Sequence, residues 1–274
     1  MEELSYAIER HKQSSHGADA RNAGYDGARH VPPPIVYTRT RVVECQEAIL
    51  RQNRVVAAFD RGAFVEGYQL LRTQVLHRLR ENRWNVLGVT SPRMQEGKTL
   101  TALNLAIMLA METTQTVLLI DADLKRPSVH TLLGFDACRG LTEFLLEEAS
   151  LEDLLIHPGI GRLVLLPGGR AIQRSAEALT SPRMSALIRE AKHRYSARIV
   201  VVDLPPLLTS ADGLAFAPSV DAILLVAGEG MTTRRDVEES IALVRGAVPV
   251  LGTVLNQSGN GPYSVRAMRS VAAG

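Results

Sequence analysis

Glycine, lysine and threonine stand together at Gly97-Lys98-Thr99, between a segment that predicts a strand and one that predicts a helix. Glycine at this place lets the backbone come close to a phosphate group, and the N-terminus of the helix presents unpaired N–H groups to its oxygens. The Lys98 ammonium adds positive charge, and the Thr99 hydroxyl suits Mg²⁺. The pattern matches the end of the P-loop motif GxxxxGK[ST], with Pro92 in place of the first glycine. We expect nucleotide phosphates to contact consecutive residues of this loop: Glu96, Gly97, Lys98, Thr99 and Leu100.

Carboxylates follow two further apolar runs that predict buried strands. Asp121 and Asp123 come at the end of one, and Asp203 ends the other. Asp121 and Asp123 could also serve only to cap their loop. Because ligands of doubly wound sheets bind at the carboxyl ends of the strands, we expect all three acids to meet the P-loop at one edge. A phosphate loop with converging acids is what a Mg-nucleotide requires, so the sequence predicts an ATP and Mg²⁺ site.

Alternating strands and helices position these residues. The predicted strands are Trp84–Thr90, Val117–Asp121, Leu163–Leu166, Ile199–Asp203, Ala222–Ala227 and Val250–Leu255. The predicted helices are Ala63–Leu79, Leu100–Met111, Gly140–Ile156 in two pieces, Pro182–Tyr195 and Arg234–Arg245, and the apolar spacing from Val42 is also helical. The strands are nearly continuous runs of β-branched residues and Leu, which is typical of a parallel sheet covered on both faces. We therefore predict an α/β fold with a doubly wound, mainly parallel sheet.

The ends of the chain differ from this pattern. Residues 1–40 predict a flexible arm, because the stretch Ser14–Pro34 contains few large apolar residues. Within the arm, Glu2–Gln13 predicts a short helix, which is either a frayed terminus or a docking element for a partner. We expect one domain over residues 41–256 and a loose Gly/Ser-rich tail over residues 257–274.

Composition excludes several classes of protein. The 274 residues carry 31 Lys and Arg against 29 Asp and Glu, a net charge of +2 that offers no case for nucleic-acid binding. Cys45 and Cys138 form no metal-binding motif and no disulfide framework, which indicates a reducing cytoplasm. The longest apolar stretches have the length of strands, so we expect no direct insertion into a membrane.

The P-loop and the two predicted strands that end in acids belong to a wider similarity. The chain from about Glu66 to Asn256 resembles the deviant-Walker P-loop ATPases. That group includes the Min/ParA and Mrp types and, with greater similarity, the bacterial tyrosine kinases of exopolysaccharide and capsule synthesis. The shared segments are Glu66-Gly-Tyr-Gln-Leu-Leu-Arg-Thr, Gly140-Leu-Thr-Glu-Phe-Leu, Leu165-Leu-Pro-Gly-Gly, Glu177-Ala-Leu and Asp203-Leu-Pro-Pro-Leu-Leu-Thr-Ser-Ala-Asp. The run Gly97-Lys-Thr-Leu-Thr-Ala-Leu-Asn-Leu-Ala looks nearest to the exosortase-associated tyrosine autokinases.

The resemblance implies roles for individual residues. The catalytic set would be Lys98, Asp121, Asp123 and Asp203, and the metal set would be Thr99, Asp121 and Asp203. Of Asp121 and Asp123, one would aid metal binding and the other would accept the tyrosine proton, whereas Asp203 would act through a metal-bound water. Asn256 would contact the adenine. Glu66 and Arg72 match a helix that joins subunits in a ring, and this implies a homo-oligomer.

The resemblance also implies a function. We expect a Mg-ATP-dependent protein-tyrosine autokinase that regulates exopolysaccharide polymerisation and export. Its partner would be the cytoplasmic segment of a membrane co-polymerase, which would recruit a cytoplasmic protein to the inner face of the membrane. One alternative is an ATP-switched binding module of the same fold that acts on this partner without phosphorylating anything. A ParA- or Min-like positioning ATPase is another, although it would usually carry a lysine where Pro92-Arg93 offers an arginine.

Several positions depart from the kinase pattern. Met94-Gln95 replaces the usual Pro-Gly of the P-loop, Lys125 replaces an arginine, and Gln69 replaces the middle arginine of the ring-forming motif. The C-terminal tyrosine cluster is missing, since residues 257–274 hold one tyrosine, Tyr263. Tyr263 is either an autophosphorylation site or a tail residue without a special role.

Overall fold

The sheet that carries the acids is built from short, mostly buried strands. In this computed structural model, which describes residues 40–55, 57, 63–111, 115–193, 198–258 and 264–266, nine strands form one sheet. They are β1 (Arg41–Val42), β2 (Val86–Thr90), β3 (Thr116–Asp121), β4 (Ile156–His157), β5 (Leu163–Leu166), β6 (Arg198–Asp203), β7 (Ala222–Gly228), β8 (Val250–Ser258) and β9 (Ser264–Arg266). Their order is β1-β4-β5-β3-β6-β2-β7-β8-β9. The pairs β4–β5 and β8–β9 are antiparallel and the others parallel, which confirms the predicted mainly parallel sheet.

Helices cover both faces of the sheet. They are α1 (Glu47–Gln52), α2 (Ala63–Asn82), α3 (Lys98–Ala110), α4 (Val129–Leu132), α5 (Leu141–Leu145), α6 (Leu151–Leu154), α7 (Ser175–Leu179), α8 (Pro182–His193), α9 (Ala211–Phe216) and α10 (Arg234–Val244). Successive residues of a strand enter opposite cores: Leu87 of β2 packs with α2 and α3, and Val86 packs with α8 and α9. The doubly wound prediction is therefore confirmed. Within the described residues, no helix is long and apolar enough to cross a bilayer.

The P-loop helix α3 is fixed against α2 by a buried polar contact set. Tyr68 of α2 is 1% exposed, and its ring meets Phe64 edge-on at 5.0 Å between centroids. Burial raises the pKa of Tyr68 to about 12, although the neighbouring polar side chains of Thr101 and Asn104 oppose the shift. The Asn104 amide also donates to the Arg54 carbonyl oxygen over 3.1 Å. Because Tyr68 and Asn104 leave water together and backbone groups satisfy the Asn104 amide, they hold α2 and the segment before it on α3.

Some predicted boundaries are wrong at the edges of the sheet. Val42 lies in β1 and not in a helix, because it pairs with His157 of β4. The two helical pieces expected over Gly140–Ile156 are confirmed as α5 and α6, but Ile156 itself joins β4. β8 continues past Asn256 to Ser258 and pairs with β9, so part of the stretch that we expected to be loose belongs to the sheet. Apart from residue 40, the predicted arm over residues 1–40 and its helix lie outside the described residues, as does Tyr263.

Candidate nucleotide site

The P-loop requires glycine at its last position before the helix. Gly97 caps α3 with a φ of +85°, in the left-handed region that favours glycine. A Cβ added there would lie 2.0 Å from the side-chain nitrogen of Asn256. A side chain at this position would therefore displace the Asn256 amide and would be strained by the left-handed φ.

Lys98 brings the predicted acids together. Its ammonium lies 2.9 Å from Oδ2 of Asp123, 3.4 Å from Oδ1 of Asp203 and 3.1 Å from the Thr99 hydroxyl. Burial lowers the pKa of Lys98, but attraction to Asp203 and Asp123 outweighs it, so the pKa lies above its ordinary value. The lysine is charged at neutral pH and neutralises part of the acidic edge.

Asp121 ends β3 in full burial. Its Oδ2 accepts hydrogen bonds from the backbone N–H groups of Ser128 and Val129, at 2.9 and 3.0 Å. Burial and repulsion from Asp203 nevertheless raise the pKa of Asp121 to about 7, because the two carboxylates crowd one site. Near neutral pH this group can hold or release a proton.

Asp203 ends β6, the neighbour of β3, and is also fully buried. Burial raises its pKa, and Lys98 counteracts that shift. Its Oδ2 has no hydrogen-bond partner among the described residues. A buried carboxylate oxygen without a partner is costly, so it fits a site that gains a cation or a metal-bound water with its ligand.

The donor set fits Mg²⁺ held together with a nucleotide. Within the described ranges, no group of three or more His, Cys, Asp or Glu side chains could hold a metal alone. Mg²⁺ at nucleotide sites keeps several waters and binds one or two protein groups plus phosphate oxygens. Thr99 and the Asp121 and Asp203 carboxylates at this edge are suited to that role.

Glu96 and Asn256 lie at the loop in ways that the sequence did not indicate. The Glu96 side chain is 1% exposed and accepts hydrogen bonds from the backbone N–H of Arg93 and the Thr232 hydroxyl. Its carboxylate therefore braces the loop, which leaves its backbone for phosphate contact. The Asn256 amide donates to the Glu96 carbonyl oxygen over 3.0 Å. Leu100 is partly buried in the first turn of α3.

Sequence reasoning missed contacts that reach the site from distant segments. The Arg93 guanidinium binds Asp236 at the start of α10, 2.8 Å away. Lys125, close to Asp123 in sequence, binds the buried carboxylate of Asp212 at 3.0 Å. The local spacing Thr233-x-x-Asp236 is a capping-box signal and could have indicated the start of α10, but not its contact with the P-loop.

The residues expected to join subunits lie on α2. Glu66 is exposed, and Arg72 is partly buried and holds contacts within the chain. Their role in assembly stays a prediction.

Comparison with known proteins decides the family. No family model matches the chain. The tyrosine-protein kinase YwqD of Bacillus subtilis is 31% identical over 208 residues, which cover 76% of this chain and 86% of YwqD. The chain belongs to the bacterial tyrosine kinase family. In this family, Etk of Escherichia coli is 33% identical over 70% of the chain, and the succinoglycan biosynthesis transport protein ExoP of Rhizobium meliloti is 35% identical over 76%. The chain spans about a quarter of the length of those two relatives, 26% and 27%.

Solved structures agree with the family. The kinase domain of Escherichia coli Etk superposes with a TM-score of 0.67 at 28% identity, covering 88% of this chain and 94% of that domain. The septum site-determining protein MinD from Pyrococcus horikoshii, complexed with Mg-ADP, has a TM-score of 0.54 at 23% identity and covers 65% of this chain and 72% of MinD. At that identity MinD shares the fold alone. This bacterial tyrosine kinase chain is thus built on a P-loop ATPase fold with flanking helices.

Proposed function

We propose that this chain is a Mg-ATP-dependent protein-tyrosine autokinase that regulates exopolysaccharide polymerisation and export. The observation that carries the proposal is the Lys98 ammonium within 3.4 Å of carboxylates from the ends of two strands, at the foot of a P-loop, in a chain of this family. Phosphoryl transfer needs positioning and charge neutralisation more than covalent chemistry from the protein. This edge of the sheet supplies both.

In the proposed reaction, Lys98 and the N–H groups at the start of α3 bind the β- and γ-phosphates. Thr99, Asp121 and Asp203 would hold Mg²⁺, which would supply charge neutralisation at the phosphates. The acceptor phenol oxygen forms a bond to the γ-phosphorus while the bond from that phosphorus to the β–γ bridging oxygen breaks, and ADP leaves. A free tyrosine has a pKa near 10, so about one in a thousand is ionised at pH 7 and a base is needed.

The base in this scheme is one of Asp121 and Asp123, the two acids at the carboxyl end of β3. Asp121 also belongs to the metal set, and bound Mg²⁺ would lower the pKa of about 7 that burial and repulsion from Asp203 give it. One of these two carboxylates would take the phenol proton while the other aids metal binding. Asp121→Asn and Asp123→Asn should both lower the rate, and the variant that also loses the acidic limb of the rate–pH profile identifies the base.

We place the protein, in this proposal, at the inner face of the cell membrane. A cytoplasmic segment of a membrane polysaccharide co-polymerase would dock to it, and Glu66 and Arg72 on α2 would join copies into a ring-like homo-oligomer. The names of Etk and ExoP support the link to tyrosine phosphorylation and to polysaccharide transport.

One assay tests the kinase proposal. Purified protein is incubated with Mg-ATP, with and without the cytoplasmic segment of the co-polymerase, and is probed for ADP release and phosphotyrosine. We expect phosphotyrosine that is absent in Lys98→Met and, if Tyr263 is the acceptor, in Tyr263→Phe. ADP without phosphotyrosine under both conditions would overturn the kinase proposal.

Release of ADP without phosphotyrosine is what an ATP-switched binding module of the same fold predicts. One observation favours this alternative: residues 257–274 contain a single tyrosine, Tyr263. Each phosphate adds roughly −1.5 to −2 charges, so one tyrosine gives much less repulsion than a cluster would. The module should bind ATP and change its oligomeric state without any phosphotyrosine.

A further inference from the structure

The P-loop of this chain keeps Gly97 but lacks glycine at two other positions where the motif and the family pattern have it. Pro92 stands at the first glycine position of the motif, and Gln95 has a φ of +65°, in the left-handed region that side chains disfavour. A backbone of this kind persists only where its surroundings hold it. The residues that hold it come from the connection between β7 and α10 and from the first turn of α10.

The first contact from that connection is made by Thr232. Its hydroxyl donates to Oε1 of the buried Glu96 side chain and accepts a hydrogen bond of 2.7 Å from the Gly228 N–H. The other Glu96 oxygen accepts from the Arg93 N–H over 2.7 Å. Glu96 therefore links the end of β7 to the first half of the P-loop.

The second contact is made by Asp236. Its Oδ1 accepts from Nε and Nη2 of Arg93, at 3.1 and 2.8 Å. Its Oδ2 accepts from the backbone N–H and the hydroxyl of Thr233, at 3.0 and 2.8 Å. Hydrogen bonds from Arg93 and then from Thr233 lower the pKa of Asp236 to about 2, so the carboxylate stays charged.

We infer that Thr232 and Asp236 are positioning residues that hold the P-loop in its phosphate-binding shape before nucleotide arrives. Together they form the P-loop clamp, with Glu96 and Arg93 as its anchors in the loop. A loop that is already ordered loses less freedom when it binds, so the clamp raises affinity for the nucleotide phosphates without touching them. This inference rests on the proposed binding of Mg-nucleotide at Lys98.

The test is the affinity of the full chain for MgADP, measured by isothermal titration calorimetry. Thr232→Val removes the hydroxyl and Thr232→Ser keeps it. We expect affinity about ten-fold weaker for Val and close to wild type for Ser, since only the hydroxyl makes the contact. If Thr232 acted only by filling space, Thr232→Ser would bind MgADP more weakly than Thr232→Val, because Val preserves the volume of Thr better than Ser does.

Arg93→Met and Asp236→Asn test the second contact, and the Arg93 side chain is exposed enough for its replacement to leave the fold intact. Each should weaken MgADP binding, and the double variant should be no weaker than the more affected single one, because both remove the same contact. Glu238→Gln is the matched control, since it breaks an exposed ion pair with Arg234 on the same helix.

The outcomes separate this inference from the proposed function. If wild type binds MgADP and the Thr232→Val, Arg93→Met and Asp236→Asn variants bind within two-fold of it, the clamp is wrong and nucleotide binding stands. An equal loss in Glu238→Gln would also overturn the clamp, since the effect would belong to α10 as a whole. If wild type itself binds no MgADP, both the proposed function and the clamp fail.

Discussion

On the β3 and β6 side of the P-loop, buried carboxylates outnumber the ammonium that faces them, whereas on the β7 and β8 side the polar side chains that contact the loop among the described residues have partners. Three carboxylates face Lys98 on the first side, and one oxygen of Asp203 has no hydrogen-bond partner among the described residues. On the second side, Glu96, Thr232 and Asn256 satisfy one another and the loop backbone. The first side is electrostatically incomplete and the second is complete.

This difference indicates where chemistry and where support reside. A buried polar group without a partner costs free energy, and such cost persists at places where a ligand removes it. Satisfied networks instead rigidify their surroundings. Under the proposed function, we therefore expect ligand binding and proton transfer on the β3 and β6 side, and support of the shape of the loop on the β7 and β8 side.

The sharpest way to break this comparison is to remove the Lys98 ammonium from the incomplete side. Lys98→Met should lower phosphotyrosine formation by about a hundred- to a thousand-fold, because the transferred phosphoryl group loses a positioned charge. Incorporation of labelled γ-phosphate measures it.

Lys192→Met is the matched control for that experiment. Lys192 pairs with Asp221, which accepts hydrogen bonds from Asn85 and Val86 at the opposite ends of the strands. Its loss should leave the labelling rate unchanged. An equal loss of labelling in both variants would mean that the cation at the carboxyl edge has no special role.

The close approach of the two sides can be tested at Gly97. Gly97→Ala adds a Cβ 2.0 Å from the Asn256 nitrogen at a left-handed φ, so we expect MgADP affinity to fall at least about ten-fold. Gly246→Ala is the control, since Gly246 has a similar φ of +86° with nothing within 4 Å of an added Cβ. Titration calorimetry on both variants measures the affinity for MgADP. Similar losses of affinity in the two variants would show that the effect comes from backbone strain and not from the contact with Asn256.

The crowding of buried carboxylates on the incomplete side also predicts how the free energy of unfolding depends on pH. Asp121 has a pKa of about 7 in the folded chain against an ordinary value of 3.8, so the folded state holds its proton more tightly than the unfolded state does. The stability that this group contributes is present below about pH 4 and is lost as pH rises to about 7, a change on the order of a few kcal/mol. Asp121→Asn lacks this dependence.

Urea unfolding of the nucleotide-free protein between pH 4 and pH 8 measures that prediction. The free energy of unfolding of Asp121→Asn, relative to wild type, should rise up to about pH 7 and then level off. Asp136→Asn, which removes an exposed carboxylate, should run parallel to wild type. A constant difference between Asp121→Asn and wild type would contradict the raised pKa.

The smallest effect is expected at the surface of α10. Arg234 and Glu238 form an exposed i,i+4 ion pair at 2.7 Å. Solvent and salt screen such pairs, so Glu238→Gln should leave the thermal unfolding midpoint unchanged within error. A clear drop, seen by circular dichroism, would show that α10 contributes to stability through its outer face and not only through Asp236.

Much of the fold and of the incomplete side could be predicted from the sequence, because the residues that indicate them are close together along the chain. Each strand of the sheet centre is an apolar run, and Asp121 and Asp203 follow such runs directly. The parallel arrangement then requires the two strand ends to meet, as Asp121 does with Asp203 in the register of β3 and β6.

The complete side could not be predicted in the same way. Thr232 and Glu96 are 136 residues apart, and Arg93 and Asp236 are 143 apart. A hydrogen bond between two ordinary polar residues leaves no periodic signal at such separation. The edge strand β1 was missed for a related reason, since two residues that pair with β4 are too few to show an alternation.

The burial of Tyr68 narrows the search for a phosphoacceptor. Its hydroxyl points into the interface of α2 and α3 at 1% exposure, so a kinase active site could reach it only after that interface opened. The chain has six tyrosines, and the remaining ones are Tyr6, Tyr25, Tyr37, Tyr195 and Tyr263. Peptide mass spectrometry after incubation with ATP therefore needs coverage of the first forty residues as much as of the last twenty.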